Sequence, residues 1–444
     1  MRLTIVGGGW AGLSAAVHAV QLGWTVTLWE ASRQLGGRAR ALEHEGLRLD
    51  NGQHILIGAY TETLDLMQTL GVRPDAVLHR QPLTLLRPDG SGLVLPDVPP
   101  PWNLLLGVLR ARGWTWHDRW SLLRTAWQWQ QQNFSCPEHL TVSELCAALS
   151  PRVMAQLIEP LCVSALNTPP DTASGAVLLR VLRDALWSGP GGSDLLLPTT
   201  DLGALMPDAA AKWLEQHGVD IRLGERWRPS SAQPDTLVLA CPAWEAARLT
   251  AEHHPVWSAQ ANALQHAAIT TVYVQHPDPD FIGLRQPMMA LCSDAQRPAQ
   301  FVFDRGQLLG PSQRGLLACV VSDSVGTRED LERRVLAQLQ EEFAAPPAAE
   351  WDAHLTAPQG DNPPGGSSES GSRAWRVVQT VVEKRATFAC TPGLQRPPAA
   401  MGPGWWACGD YVAGPYPATL EGAVRSGREV VEQIAQTRQR ERRL

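Results

Sequence analysis

The sequence predicts an α/β fold built on a parallel sheet, and the strongest evidence lies in its first residues. A short apolar strand at positions 3–6 is followed at once by Gly7-x-Gly9-x-x-Gly12. Residues 13–23 then have the small and apolar composition of a buried helix. Gly7 allows a sharp turn, Gly9 allows close approach to a pyrophosphate, and Gly12 allows the helix to pack tightly on the strand. This order is typical of a βαβ unit whose helix N-terminus faces an anion.

A second predicted strand, residues 24–29, supports the same interpretation because it ends in an acid. Glu30 follows Gly12 by 18 positions, where a carboxylate can accept hydrogen bonds from ribose hydroxyls. A glycine motif alone is weak evidence, but a glycine motif at the chain start with an acid at this distance is specific. The sequence therefore predicts a dinucleotide site.

The residues after Glu30 distinguish between dinucleotides. The run Leu35-Gly36-Gly37-Arg38-Ala39-Arg40 resembles the second glycine pair and arginine of FAD-dependent amine oxidases and phytoene-type desaturases. In those families this segment adds backbone and guanidinium contacts to the diphosphate. The resemblance implies FAD rather than NAD.

The end of the chain carries a second cofactor motif. Residues 406–410 form an apolar strand ending in Gly409-Asp410, and residues 415–427 form a turn that enters a helix. This segment resembles the C-terminal FAD motif of the same superfamily, in which the aspartate binds the ribityl and phosphate region. A helix that starts near Thr419 would direct its N-terminal amides at the N1 and O2 edge of the flavin. Both chain ends are thus expected to bind one cofactor.

Composition excludes several other classes of protein. The 444 residues carry a net charge of −6 with acids and bases intermixed, so no nucleic-acid partner is expected. The eight cysteines have no metal-binding spacing, which predicts free thiols in a reducing compartment and no metal site. We expect a cytoplasmic protein without a signal peptide or membrane span, with peripheral contact at the inner face of the plasma membrane as an option.

The chain is long enough for two cores, and its elements predict an interrupted cofactor domain. The resemblance implies a Rossmann-like FAD-binding domain of the GR2, amine oxidase-like type, with an inserted α+β substrate domain. Residues 362–372, rich in glycine, serine and proline, are expected to form a surface loop. The predicted parts are FAD-binding segments at 1–77, 196–260 and 391–444, a mainly helical substrate region at 78–195, and a sheet-containing substrate lobe at 261–390.

Two stretches leave alternatives open. The segment from Asp50 to His54 contains Asn-Gly, which indicates a tight turn, but the similar segment of desaturase-like flavoproteins passes beside the flavin ring. Further on, Trp116, Trp120, Leu123 and Trp127 share one face of a predicted helix. Such a stripe usually packs into a core, which is the favoured interpretation. The alternative is a surface against a long apolar substrate or a membrane interface.

A narrower resemblance concerns the reaction. LDNGQHILIGAY at 49–60, EKRATFACTPG at 383–393 and YPATLEGAVRSG at 416–427 look like the squalene-associated FAD-dependent desaturases, or hydroxysqualene dehydroxylases. That family's reaction is reductive: reduced FAD delivers a hydride to hydroxysqualene as the allylic hydroxyl leaves as water. The alternatives are a carotenoid-type or phytoene-type desaturase, an amine oxidase, and a non-enzymatic prenyl-protein carrier of the escort type.

The expected partners are therefore a long isoprenoid substrate and an electron donor, either a nicotinamide or a partner reductase. The candidates for the proton donor are Asp50, His54 and Tyr416. The residues expected to contact FAD are Gly7, Gly9, Trp10, Ala11, Gly12, Glu30, Ala31, Gly36, Gly37, Arg38, Asn51, Gly52, Gln53, Gly409, Asp410, Ala418, Thr419 and Leu420.

Overall fold

The computed structural model describes residues 1–187, 189–229, 235–278, 280–344 and 375–441. Its main parallel sheet, here called the nucleotide sheet, combines strands from the start, the middle and the end of the chain. In spatial order these strands are Asp220–Leu223, Thr25–Glu30, Arg2–Val6, Leu237–Leu239, Trp405–Ala407 and Ala400–Gly402, of which the last runs antiparallel. The predicted α/β class and Rossmann-like arrangement are confirmed.

Two helices pack against each other beside the nucleotide sheet. Trp10–Gln21 begins three residues earlier than predicted, because the glycine motif itself forms the first turn after Gly9. Its partner is the C-terminal helix Leu420–Glu441. A Cβ atom on Gly427 would lie 2.3 Å from the Ala11 carbonyl oxygen, so this crossing requires glycine. The start and the end of the chain are therefore tightly packed together.

A second, antiparallel sheet, here called the substrate sheet, forms in the later half of the chain. Side chains alternate between its faces. In the strand Phe301–Asp304, Val302 packs toward the helix Arg328–Ala344, whereas Phe301 and Phe303 face the other side. The predicted loop at 362–372 lies outside the described residues. The strands in spatial order are Met288–Ala290, Phe301–Asp304, Leu316–Ser322, His266–Gln275 and Arg376–Phe388.

A group of helices covers the open face of the substrate sheet. Their apolar residues belong to one core together with Phe301 and Phe303. These helices are Trp102–Arg110, Trp116–Gln131, Val142–Leu145, Pro151–Val153, Glu159–Leu166 and Gly175–Trp187, with a π-helical turn at Met154–Ile158.

Shorter elements complete the described fold. Small antiparallel sheets are formed by Ala41–His44 with Leu47–Asp50, by Leu56–Ile57 and Leu78–Gln81 on either side of Leu195–Pro198, and by Thr84–Leu86 with Gly92–Val94. The remaining helices of the described residues are Thr61–Thr69, Pro74–Val77, Leu202–Leu205, Pro207–Gln216, Ala243–Thr250, Pro255–Asn262, Arg305–Leu309 and the 3₁₀ turn Pro311–Gln313.

The tryptophan stripe of the helix Trp116–Gln131 does not pack into the core, so the favoured interpretation was wrong. Trp116, Trp120 and Trp127 are 73%, 67% and 60% exposed. The face that is buried carries Leu122, Ala126 and Trp129 instead. Two apolar stripes run along this helix, and periodicity alone does not decide which one faces the protein.

Two expectations about the chain as a whole can be compared with the structure. Among the described residues, no helix combines the length and the apolar character that crossing a bilayer requires. The eight cysteines all lie in the described part of the chain and are free thiols.

Candidate functional site

One large cavity, of about 1090 Å³, lies between the nucleotide sheet and the substrate sheet. One end is lined by the glycine motif and by residues 409–411 and 418–420, and the other end by apolar side chains that come largely from the covering helices. Every residue predicted to contact FAD lines this cavity except Gly12. Of the three predicted proton donors, only His54 lines it.

The glycine motif shows which glycines serve the fold and which leave room for a ligand. Gly7 has a φ of +115°, and a Cβ there would lie 2.6 Å from the Ala240 backbone. A Cβ on Gly12 would lie 1.9 Å from the Gly7 carbonyl oxygen, so Gly12 is a packing residue. A Cβ on Gly9 would meet nothing of the protein closer than Gly37 Cα at 3.8 Å. Gly9 therefore leaves space that fits the diphosphate of a dinucleotide.

Glu30 fixes the shape of this loop. Its carboxylate accepts hydrogen bonds from the backbone amides of Gly8 and Ser32, both at 2.7 Å. The side chain also lines the cavity at the carboxyl end of its strand. This is where an open parallel sheet binds ligands, and the remaining acceptor capacity suits ribose hydroxyls.

The two cofactor motifs contact each other directly. Arg38 Nη2 donates to Asp410 Oδ1 at 2.6 Å, across 372 positions of sequence. Arg38 Nη1 donates to the carbonyl oxygen of Ala386 on the substrate sheet. Arg38 therefore joins three separate segments of chain at the wall of the cavity.

The C-terminal helix starts at this same wall. Thr419 Oγ1 accepts a hydrogen bond from the Gly422 amide at 2.9 Å, which caps the first turn. Ala418 has a φ of +58°, which turns the chain into the helix, and residues 418–420 line the cavity. The positive end of a helix dipole thus lies beside the site, where it stabilises negative charge.

Asp50 has a different position from the one predicted. Its Oδ1 accepts from the Leu202 amide at 2.8 Å, and its Oδ2 accepts from Arg305 Nη1 at 2.9 Å. Arg305 is fully buried, and its other nitrogens donate to Gln313 Oε1 and the Arg48 carbonyl oxygen. A carboxylate that is fixed by these partners and does not line the cavity does not suit the role of proton donor. Asp50 instead ties the predicted flavin-side turn to the substrate sheet.

His54 lines the cavity at the end of the same turn. Its Nδ1 lies 3.0 Å from the Gly52 carbonyl oxygen, and because a carbonyl only accepts, Nδ1 carries the proton. This leaves Nε2 for a group in the cavity. Burial lowers the pKa of His54 below its usual value.

Tyr416, the third predicted donor, does not line the cavity. Its ring packs edge-on against Tyr60, with 6.5 Å between ring centroids, and lies 5.1 Å from the Arg425 guanidinium. Burial raises the pKa of Tyr416 to about 12. Tyr60, which the sequence analysis did not select, lines the cavity in its place.

The sequence analysis also missed part of the cavity wall at the glycine-motif end. Residues 225–227 and 242–245 line it beside the glycine motif, and Arg385 lies 5.1 Å over the ring of Trp244. The first group lies in a loop after the strand Asp220–Leu223, and the second begins the helix Ala243–Thr250 after the strand Leu237–Leu239. Only the position of their strands at the carboxyl edge of the sheet indicates a ligand contact.

The far end of the cavity is an apolar chamber. Its polar side chains are sparse, and they include Asn167, whose amide donates to Thr387 Oγ1 at 2.9 Å. The apolar side chains come from the covering helices, the substrate sheet and the small sheet Thr84–Leu86 with Gly92–Val94, and they include Leu83, Leu85, Leu93, Leu104, Leu122, Ala126, Trp129, Phe134, Leu157, Ile158, Leu161, Leu178, Val181, Leu182, Leu186, Trp187, Met288, Phe301, Phe303 and Val320.

Comparison with known proteins identifies the family to which this arrangement belongs. The family model for flavin-containing amine oxidoreductases matches residues 10–435. Similar proteins include hydroxysqualene dehydroxylases from Sinorhizobium fredii and Zymomonas mobilis, each 24% identical over 96% of this chain and 97% of the relative. The 15-cis-phytoene desaturase of Synechococcus elongatus is 24% identical over 98% of this chain and 96% of its own length.

Solved structures show the same fold. Cyclohexylamine oxidase from Brevibacterium oxydans has a TM-score of 0.64 and 16% identity, with 99% of both chains covered. The space left at Gly9 and the capped helix start at Thr419 fit FAD, as the sequence resemblance implied. The chain belongs to the flavin-containing amine oxidoreductase family, and it is an FAD-dependent oxidoreductase.

Proposed function

We propose that the protein removes the allylic hydroxyl group of hydroxysqualene reductively and yields squalene for hopanoid or other triterpene synthesis. One observation carries the proposal: the cofactor end and the apolar chamber form a single continuous cavity. The hydroxysqualene dehydroxylases similar to this chain over nearly its whole length support the choice of substrate.

The chamber suits a hydrocarbon chain better than an amine. Its walls are mostly Leu, Ile, Val, Phe and Trp side chains from the covering helices, the substrate sheet and one small sheet. An apolar chain needs no hydrogen-bond partners, whereas a buried ammonium group needs a paired charge or an aromatic cage. Desolvation of a long isoprenoid supplies the binding energy without directional contacts.

The proposed cofactor contacts are the predicted ones. Gly9 and the helix starting at Leu420 would hold the diphosphate and the flavin edge, and Glu30 would bind the ribose. Bound FAD, once reduced, supplies a hydride. An external electron donor, either a nicotinamide or a partner reductase, must supply the reducing equivalents.

The proposed task of the side chains is to make the hydroxyl group leave. Hydroxide is a poor leaving group, so a proton must reach the oxygen as the C–O bond breaks. The balance is one hydride to carbon and one proton to oxygen, which gives squalene and water. His54 lines the cavity, and its Nδ1 is held by the Gly52 carbonyl, so a protonated His54 would donate from Nε2. Its lowered pKa makes that imidazolium a stronger acid than an ordinary one, so we propose His54 as the donor.

The first prediction concerns the product. Reduced protein incubated without oxygen with hydroxysqualene is expected to form squalene, with loss of one oxygen per molecule as measured by mass spectrometry. A carotenoid-type desaturase would instead remove two hydrogens from a polyene substrate and reduce the oxidised protein. An amine oxidase would release peroxide with simple amines. Either of these results, without squalene formation, would contradict the proposal.

The second prediction concerns the proton donor. His54→Ala is expected to lower the turnover rate by about 10²-fold or more while FAD stays bound. Because the protonated form donates, turnover in the unaltered protein should fall as pH rises through a pKa below about 6.5.

Two comparisons make this test specific. Tyr416→Phe removes a hydroxyl that does not line the cavity, so its turnover should stay close to that of the unaltered protein. Burial raises the pKa of Tyr60, so a Tyr60 donor would give turnover that is independent of pH in the neutral range. Such a flat profile, with full activity in His54→Ala, would exclude His54.

A further inference from the structure

Four tryptophans are exposed on two neighbouring helices of the covering group. Trp102 on the helix Trp102–Arg110 is 60% exposed, and Trp116, Trp120 and Trp127 on the helix Trp116–Gln131 are 73%, 67% and 60% exposed. The two helices pack against each other. Spacings of four and seven residues place Trp116, Trp120 and Trp127 on one side of their helix, and we call these three side chains the tryptophan face.

Water is a poor environment for such a group. A tryptophan side chain has a large apolar surface, and clustered exposure of this kind marks an interaction site. None of the four exposed tryptophans lines the cavity. The opposite faces of the same helices do line it, through Leu104, Leu122, Ala126 and Trp129. The tryptophan face is therefore not an extension of the substrate chamber.

The charge around this face differs from that of the whole chain. Residues 98–137 contain four arginines, Arg110, Arg112, Arg119 and Arg124, and a single acid, Asp118, whereas the chain as a whole has a net charge of −6. The acid is buried, where its carboxylate caps the helix by accepting from the Thr115 amide and hydroxyl. The solvent-facing charge of this segment is thus positive.

We propose that the tryptophan face docks on the surface of an anionic lipid bilayer. Indole rings favour the interface between headgroups and acyl chains, and arginines beside them are attracted to anionic headgroups. Arg119 lies 5.1 Å from the Trp116 ring, so the basic and aromatic groups are already adjacent. A second copy of this chain is a poorer occupant, because two positively charged segments would face each other.

Docking through this face would place the apolar chamber close to the lipid. Because one face of the helix Trp116–Gln131 carries the tryptophans and another lines the apolar chamber, docking brings the chamber within one helix of the lipid. Phe134, just beyond the end of that helix, lines the chamber together with Trp187, and the two rings are tilted against each other with 4.7 Å between their centroids. The proposal does not depend on the proposed reaction, since lipid binding is measured without substrate.

The test is flotation of FAD-loaded protein with vesicles of phosphatidylcholine, with or without phosphatidylglycerol. The variant Trp116→Ser/Trp120→Ser/Trp127→Ser is expected to bind the mixed vesicles about tenfold or more weakly than the unaltered protein. The variant Arg110→Gln/Arg124→Gln should lose the preference for phosphatidylglycerol. The matched control, Val256→Ser/Ile282→Ser/Val325→Ser, removes apolar groups that are 84%, 90% and 77% exposed elsewhere, and should bind normally.

Each outcome of this experiment either supports or overturns the proposed docking. The altered side chains lie on the surface, so the variants are expected to fold. Flavin absorbance and circular dichroism check that they do. Equal vesicle binding by the triple tryptophan variant and the unaltered protein overturns the proposal. The proposal is also overturned if the unaltered protein does not bind vesicles and light scattering shows it as a dimer while the tryptophan variant is a monomer. That result would assign the face to self-association.

Discussion

Replacing Arg305 by methionine is expected to lower the free energy of unfolding by about 3–5 kcal/mol. Arg305 is fully buried and lies 2.9 Å from the Asp50 carboxylate, which is only 3% exposed as a residue. The variant leaves that carboxylate buried without its cationic partner. A buried unpaired charge is among the costliest defects that a single substitution can produce. Urea denaturation of the FAD-loaded protein measures the loss.

Two further variants test the cause. Arg297→Met breaks an ion pair with Asp294 at the surface, where both side chains are partly exposed, and is expected to cost no more than about 1 kcal/mol. Asp50→Asn/Arg305→Met removes both charges and should recover part of the loss, because an amide tolerates burial better than a carboxylate. Equal losses for Arg305→Met and Arg297→Met would show that the buried pair has no special weight.

Replacing Gly9 by alanine is expected to weaken FAD binding by about tenfold or more without loss of the fold, since 1.4 kcal/mol corresponds to a factor of ten. Gly9 has a φ of −77°, which alanine adopts readily, and the added Cβ would meet no protein atom closer than 3.8 Å. The methyl group would instead occupy the space proposed for the diphosphate. Titration of apoprotein with FAD, followed by flavin fluorescence, measures the change.

Neighbouring glycines provide the controls. Gly12→Ala would place a Cβ 1.9 Å from the Gly7 carbonyl oxygen, so it should destabilise the fold itself by about 1–3 kcal/mol or more. Gly414→Ala adds the same methyl group where the nearest atom is 3.8 Å away, and it should leave both stability and FAD affinity unchanged. If Gly9→Ala binds FAD as tightly as Gly414→Ala does, the diphosphate does not lie at Gly9.

The cofactor half of the site could be predicted because its signals are local. Gly7, Gly9 and Glu30 occupy fixed positions around one strand and one helix, and Gly409-Asp410 does the same at the other chain end. Strand and helix periods in these segments also predicted the elements of the nucleotide sheet within a few residues. Backbone geometry within a few residues determines such features.

The substrate half was harder because its contacts are long-range. The partner of Asp50 is Arg305, which is 255 positions away and has no motif around it. In the structure Asp50 is buried against this arginine and does not line the cavity. Tyr60 lines the cavity and Tyr416 does not, although the two rings are in contact. The direction of each side chain depends on how the surrounding elements pack.

The sequence by itself determined that segments near both chain ends would meet at one site, since glycine spacing, the acid at Glu30 and Gly409-Asp410 encode local backbone shape, and both segments line one cavity. Only the tertiary structure decided which face of the helix Trp116–Gln131 is buried, and that the cofactor end opens into an apolar chamber. The physical reason is that burial is a property of the assembled chain: a helix with two apolar faces buries the one that its neighbours cover, and neighbours are set by packing between distant segments.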